Sequence, residues 1–280
     1  MWKNKNVLVT GSAGLIGREL VKQLKELGVN VFCADLIERH DLTIKKQCKV
    51  LCKNNEIVFH LAGIKGSPTM TKQKPVDFMV PMLQFDVNMI SEAQKQGIKQ
   101  FLYTSSIAVE NPESDKYPAW AKQTAEILIE AMRIQYPEGC NYCIVRPANV
   151  YGIEDLNQEY LMVVSKLIKE AIQTNKIVLD RKGSMQIRDI IHARDCARGM
   201  IKAMEEMPNK PVNLCSSRGV LIKQIAEIIS EELQIPIEYK DLNLILGPNI
   251  KIMSNPYIIP EVDLKEGIKE VIEWQKKQKK

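Results

Sequence analysis

Short apolar runs alternate with longer segments in which apolar residues recur every three or four positions, from residue 7 to about residue 146. Residues 7–10, 29–34, 57–61, 101–104 and 142–146 are rich in β-branched and aromatic side chains and read as strands. Residues 15–27, 87–96 and 119–135 carry helical spacing. Strands that are apolar along nearly their whole length, each followed by a helix, are what a parallel sheet covered on both faces requires. The pattern predicts an α/β fold with a doubly wound parallel sheet over residues 1–150.

After Pro147 the rhythm loosens. Gly, Pro and Asn fall between helical segments at 163–173 and 221–233, and 187–191 and 211–214 read as short strands on either side of a helix beginning near Asp195. Residues 151–280 are therefore predicted to form a smaller substrate-binding portion, interleaved with completion of the sheet rather than linked as a separate domain. There is no internal repeat.

Composition sharpens this picture in four places. With 280 residues, 45% hydrophobic and 26% charged, the chain can bury a sizeable core, as one large domain or two intimate ones. No apolar run approaches the roughly 18 residues that span a bilayer. The N-terminus also runs into a strand without a signal-peptide core, so a soluble cytoplasmic protein with no membrane partner is expected. The net charge of +5 rests largely on the four lysines of the run Trp274 to Lys280, and no basic face with interleaved aromatics accompanies it, which argues against a nucleic-acid partner. Seven cysteines, an odd number, suit reduced thiols. Cys48 and Cys52 fit one helix face and Cys140 and Cys143 border a strand, so buried small hydrophobes explain them better than a metal site.

The chemistry begins at Gly11-Ser12-Ala13-Gly14-Leu15-Ile16-Gly17, which follows the first strand and opens the first helix. In that context the first glycine permits a tight turn, the second lets a pyrophosphate approach the backbone, and the third lets the helix pack on the strand. The helix start supplies free N–H groups and the positive end of its dipole. Asp35 stands at the end of the second strand, where a carboxylate would accept hydrogen bonds from an adenosine ribose and repel a 2′-phosphate. NAD is the expected cofactor, with Arg18 and Arg39 keeping NADP open.

The G-x-x-G-x-x-G spacing resembles that of the extended short-chain dehydrogenase/reductase family of nucleotide-sugar enzymes, and the resemblance runs nearly the whole chain. It implies a Rossmann-type fold and cofactor contacts from Gly11, Ala13, Gly14, Leu15, Ile16, Gly17 and Asp35. Asp41-Leu42 is similar to the family's acidic-Leu pair beside adenine, and Leu61-Ala62-Gly63 to its loop beside the cofactor phosphates and ribose. Asn88 lies where the family has an Asn behind the active site. Arg146-Pro147-Ala148-Asn149-Val150-Tyr151-Gly152 resembles the stretch leading into the substrate pocket, placing Pro147 near the cofactor and Asn149 near the substrate. Arg188-Asp189, with His192 and Asp195, resembles a further family segment, and Arg188 is either a phosphate or sugar contact or a salt-bridge partner of Asp189 or Asp195. The short link from Asp35 to Asp41 and the run from Ala62 to Phe78 most resemble the GDP-fucose synthase branch. That branch has a Cys after its paired serines, and Ile107 stands there in this chain.

The family's chemistry uses a phenol to move a proton at a sugar hydroxyl while hydride moves to or from nicotinamide; a nearby Lys lowers the phenol's pKa, and a Ser or Thr donates to the reacting oxygen. The resemblance implies Ser106 as that donor, with Ser105 second and both near substrate, and Lys122 as the lysine. The family pattern Y-x-x-x-K puts its tyrosine at position 118, which is Pro118 in this chain. Either Tyr117 reaches the site from a reshaped helix start, or it is a surface side chain ahead of a helix-starting proline. His60 and His192 read as structural.

Three reactions are common on this scaffold. Dehydration needs an Asp-Glu pair where this chain has Ile107-Ala108. Epimerisation returns the hydride to the same sugar and suits a retained NAD, so a nucleotide-sugar epimerase acting through a transient 4-keto sugar is the expectation. The alternatives are an NADPH-dependent 4-keto reductase and a dinucleotide-binding regulator without turnover. The segment 246–259 looks shorter than the family's base-binding and helical stretch. The resemblance also implies a homodimer, through helices near residues 88–97 and 119–135.

Overall fold

The computed structural model describes residues 2–153, 160–242 and 256–278. In chain order its first half runs β1 (Asn6–Thr10), α1 (Leu15–Glu26), β2 (Asn30–Ala34), α2 (Lys45–Lys53), β3 (Ile57–His60), α3 (Pro68–Gln73), α4 (Pro75–Gln96), β4 (Gln100–Thr104), α5 (Lys116–Gln135) and β5 (Asn141–Pro147). There follow β6 (Asn149–Tyr151), α6 (Val163–Thr174), β7 (Ile177–Asp180), β8 (Ile187–His192) and α7 (Ala193–Glu206). The last elements are β9 (Val212–Leu214), β10 (Gly219–Leu221), α8 (Ile222–Leu233), β11 (Ile237–Lys240) and α9 (Leu264–Gln278). The chain divides into two compact units, one of Met1–Pro147 with Ala197–Asn213 and one of Ala148–Cys196 with Leu214–Lys280.

The first unit is built on a six-stranded sheet in the order β2-β1-β3-β4-β5-β9, parallel from β2 through β5. This is the α/β parallel-sheet architecture that the alternating pattern predicts. Register decides what meets at the carboxyl ends of its strands: Thr10 lies opposite His60, and His60 opposite Tyr103. One face of the sheet packs Leu8, Val58, Phe101 and Tyr142 against Met89 and Ile90 of α4 and Ala125 and Ile129 of α5. Removing each such large apolar side chain from water stabilises the fold by about 1.5–3 kcal/mol.

Helix α4 begins twelve residues ahead of the 87–96 segment that shows helical spacing, and contains Pro81. Pro75 costs nothing at its first position, whereas Pro81 removes an interior N–H and disrupts the periodic reading. Burial of Phe78, Met82 and Phe85 offsets that cost. Cys48 and Cys52 are buried on α2, and Cys140 and Cys143 are buried at β5; all seven cysteines are free. Burial pushes the thiols of Cys48, Cys140 and Cys143 up to about 12, which keeps them protonated and weak as ligands. Among the described residues no group of three His, Cys, Asp or Glu side chains is arranged to hold a metal ion. Nor is any described helix long and apolar enough to cross a membrane.

The second unit holds two small sheets, β10-β8-β6 and β11-β7. Its core gathers Tyr151, Val164, Ile168, Ile225, Ile229, Ile268 and Val271 from β6, α6, α8 and α9. Its three- and four-residue strands β6, β7, β10 and β11 are too short to show an alternation in the sequence. Residues 246–255 of the stretch compared with the family's base-binding segment lie outside the described residues.

Candidate functional site

The glycine loop is fixed by backbone contacts. Gly11 has φ +67°, and a Cβ there would lie 2.8 Å from the carbonyl carbon of Leu61 and 2.9 Å from the nitrogen of Ala62. A Cβ on Gly17 would collide with the Gly11 carbonyl oxygen and the Ser12 backbone. Gly14, in extended backbone, caps α1 without any side-chain hydrogen bond, so the first N–H groups of the helix face outward for an anion. Asp35, at the end of β2, closes the turn: its Oδ2 accepts from the Ala13 N–H at 3.2 Å and its Oδ1 from the Ile37 N–H at 3.4 Å.

The Asp41-Leu42 turn is held from behind. Asn88 Nδ2 donates to the carbonyls of Leu42 and Thr43, both at 3.0 Å, and Asp41 Oδ1 accepts from the N–H and hydroxyl of Thr43. Leu61, Ala62 and Gly63 follow β3 beside Gly11.

Buried hydroxyls without a protein partner mark the end of β4. Thr104 Oγ1 and Ser105 Oγ are both in this state. Buried polar atoms are normally hydrogen-bonded, so these two fit a ligand that brings its own polar atoms, as a dinucleotide or sugar does. Ser106 differs from Ser105: its Oγ caps the turn that follows by accepting from the Ala108 N–H at 3.2 Å. The unpaired buried hydroxyl of the pair thus belongs to Ser105.

Lys122 lies on the buried face of α5 with its side chain 9% exposed. Its Nζ is 3.5 Å from Asp86 Oδ2 and 4.8 Å from the centre of the Tyr103 ring. Asp86 is fully buried and also accepts from the Tyr103 hydroxyl at 2.6 Å and from His60 Nε2 at 3.0 Å. Because a carboxylate only accepts, the neutral His60 carries its proton on Nε2, and its Nδ1 accepts from the Thr10 hydroxyl at 2.7 Å. Thr10 Oγ1 in turn accepts from the Ala62 N–H at 3.3 Å. Burial lowers the His60 pKa against the opposing pull of Asp86, and burial together with Asp86 raises that of Tyr103 well above its usual value. His60 is therefore a satisfied histidine at a strand end. Asp86 went unmarked in the sequence, although it falls on the apolar stripe of Met82, Met89, Ile90 and Ala93, where a carboxylate needs a buried partner.

Tyr117 and Pro118 occupy the first turn of α5, each partly exposed. At 100° per residue, position 118 lies about 40° around the helix from Lys122, and position 117 about 140°. Asp115, the residue just before the helix, makes no capping hydrogen bond with its side chain; it accepts from Thr71 Oγ1 at 3.2 Å, and burial raises its carboxyl above the usual range. Arg146 at the end of β5 forks onto Glu126 at 2.9 and 2.5 Å and lies 3.6 Å from Glu110, fixing the strand ahead of the buried Pro147.

In the second unit, Asn149 Nδ2 donates to the Asp189 carbonyl at 2.9 Å. Arg188 donates to the Ile187 carbonyl and to Gln186 Oε1. It does not pair with Asp189, whose carboxylate accepts from the N–H groups of Ser216 and Ser217 and from the Ser216 hydroxyl. Asp195 accepts from the Glu261 and Val262 N–H groups.

Known proteins match this arrangement along most of its length. The chain is 25% identical to a UDP-N-acetyl-α-D-glucosaminuronate decarboxylase of Bacillus cytotoxicus, covering 96% of this chain and 97% of that protein. It is 25% identical to GDP-L-fucose synthase 1 of Arabidopsis thaliana, covering 97% and 93%. Its fold matches the crystal structure of a UDP-glucose 4-epimerase of Thermotoga maritima with UDP-glucose, at a TM-score of 0.86 and 24% identity over 98% of this chain and all of that one. The model of the NAD dependent epimerase/dehydratase family matches residues 7–215, the stretch from the first strand to just beyond β9. A match of that extent, over a chain whose glycine loop opens the first βα turn of a parallel sheet, makes this protein a member of the NAD-dependent epimerase/dehydratase family.

Proposed function

We propose that the protein is a nucleotide-sugar epimerase that uses NAD to oxidise and re-reduce one sugar carbon through a transient 4-keto sugar. The carrying observation is Asp35, a carboxylate at the end of β2 bonded to the Ala13 N–H of the glycine loop. A negative charge there accepts from ribose hydroxyls and repels a 2′-phosphate, and a retained NAD suits a reaction that returns its hydride. The loop of Gly11, Gly14 and Gly17, the Asp41-Leu42 turn, the Leu61–Gly63 loop and Pro147 would hold the dinucleotide. When bound, NAD supplies the hydride acceptor and donor.

In this reading Ser105 and Ser106 donate to the reacting sugar oxygen, and the Tyr117 phenol takes and returns the hydroxyl proton. Lys122 holds the nicotinamide ribose and stabilises the phenolate by its charge. Asn149 and Arg188 contact the nucleotide sugar. Val76, Val80 and Val87 of α4 and Trp120, Ile127 and Ile134 of α5 are exposed at helical spacing, which supports a homodimer closed over these two helices.

Pro118 favours a second reading, a dinucleotide-binding protein without turnover. The two are separated by incubating the purified protein with NAD or NADPH and UDP-, GDP-, CDP- and dTDP-sugars, following reduced nicotinamide by its near-ultraviolet absorbance and resolving the sugars by chromatography. A changed sugar without net cofactor change is the expected result. Stoichiometric loss of NADPH with a keto sugar would make the protein a reductase, and tight NAD binding without conversion would make it the binding protein.

A further inference from the structure

We propose that Asp86 is a positioning residue that sets the Lys122 ammonium by an ion pair and ties it to the loop at Ala62 through the hydrogen bonds that run from Asp86 by way of His60 and Thr10. The inference rests on the proposed function only in taking Lys122 and Ala62 as contacts of the nicotinamide half of the cofactor. The members of the network come from six separate elements or loops: the Ala62 N–H donates to Thr10 Oγ1, the Thr10 hydroxyl to His60 Nδ1, and His60 Nε2 to Asp86 Oδ1. Tyr103 donates to Asp86 Oδ2, and Lys122 Nζ lies 3.5 Å from that same oxygen. Thr10, His60 and Tyr103 are brought into line by sheet register alone.

Three physical points favour positioning over passive filling. First, Asp86 and His60 are wholly buried, so solvent does not screen the pair with Lys122. Secondly, both carboxylate oxygens are engaged, which fixes the plane of the group and hence the direction from which Lys122 is drawn. Thirdly, a buried ion pair is a poor source of net stability compared with apolar packing, so its position at the carboxyl ends of the strands is better matched to function. The carboxylate offers Lys122 a fixed partner on the side of Tyr103, leaving its reach toward the cofactor defined by the geometry of α4.

The test is NADH binding, followed by fluorescence, in wild type, Asp86→Asn, Lys122→Met and the double variant, with 5′-AMP as a ligand for the adenosine half. Asp86→Asn is expected to weaken NADH binding about tenfold, to move the bound-NADH emission toward that of free NADH, and to leave 5′-AMP affinity unchanged. In the Lys122→Met background the same substitution is expected to have no further effect. A structural role alone would weaken 5′-AMP as well and would add to Lys122→Met, and either outcome overturns the proposal. Should Asp86→Asn fail to fold, Tyr103→Phe keeps the charges and removes one bond that orients the carboxylate; about threefold weaker NADH binding with altered emission is expected, and wild-type behaviour overturns the proposal. Absence of NADH binding by the wild type would sink the proposed function together with this inference, whereas unchanged NADH binding in Asp86→Asn sinks this inference alone.

Discussion

The glycine loop and the first turn of α5 belong to the same unit and are built in opposite ways. In the loop the backbone sets the geometry: Gly11 and Gly17 admit no Cβ, and Gly14 starts α1 with no side-chain cap. At the start of α5 side chains set it, with Asp115 bonded to Thr71, Pro118 in the first turn and Lys122 drawn inward to Asp86. A site made by backbone leaves its record as residue types at fixed spacing. A site made by side chains depends on rotation about a helix axis, where a shift of one residue turns a side chain by about 100°.

That difference is broken most severely in the loop. Gly17→Val forces a branched side chain into the Gly11 carbonyl and the Ser12 backbone. It is expected to cost about 3 kcal/mol or more of stability and to abolish NADH binding, as read by urea unfolding and fluorescence titration. Unchanged stability would show that the loop yields more readily than its contacts imply. The next largest effect is chemical. Tyr117→Phe should lower turnover by about 10²–10⁴ while leaving NADH affinity intact. Adding Pro118→Tyr to that variant asks whether the family's spacing to Lys122 is the productive one: recovered turnover would show that rotation about α5, and not loss of the phenol site, separates this chain from the family pattern. A more modest change is expected from Asp35→Ser, which removes the carboxylate proposed to meet the ribose and should weaken NADH by about tenfold while shifting the balance of affinities toward NADPH. Equal loss for both cofactors would assign Asp35 to the Ala13 turn alone.

The same contrast explains what the sequence discloses. The α/β alternation and the glycine loop were legible because each rests on local pattern, a strand period or a fixed spacing. Helix α4 was legible only in its second half, since Pro75 and Pro81 hide an amphipathic run that Phe78, Met82 and Phe85 hold together by packing. For Asp86 the apolar stripe of α4 signals only that a buried partner is needed; the partners themselves come from β3, β4 and α5, at sequence separations no local pattern spans. The choice between Ser105 and Ser106 likewise turns on a cap bond to Ala108 that the paired serines do not announce.

The smallest expected effects are opposite pH slopes of stability in the two regions. His60 belongs to the loop side, and burial lowers its pKa below the ordinary 6.5. The unfolded chain takes up that proton first, so His60 contributes stability that is present at neutral pH and falls away as the pH drops through the ordinary histidine range toward its folded value. Asp115 belongs to the start of α5, and burial raises its carboxyl above the ordinary 3.8, with the Thr71 hydrogen bond and Lys72 opposing. There the folded state holds the proton longer. The group costs no stability below the ordinary carboxylate pKa, and the cost grows as the pH rises from that value through the raised one. Urea midpoints measured across this range should therefore rise, relative to wild type, in Asp115→Asn above the raised carboxyl pKa and match it in acid, because the neutral amide keeps an acceptor for Thr71 and drops the buried charge. A gain of the same size at every pH would trace the effect to packing instead of ionisation, and a loss would mean that the negative charge beside the positive end of α5 stabilises the helix start more than its burial costs.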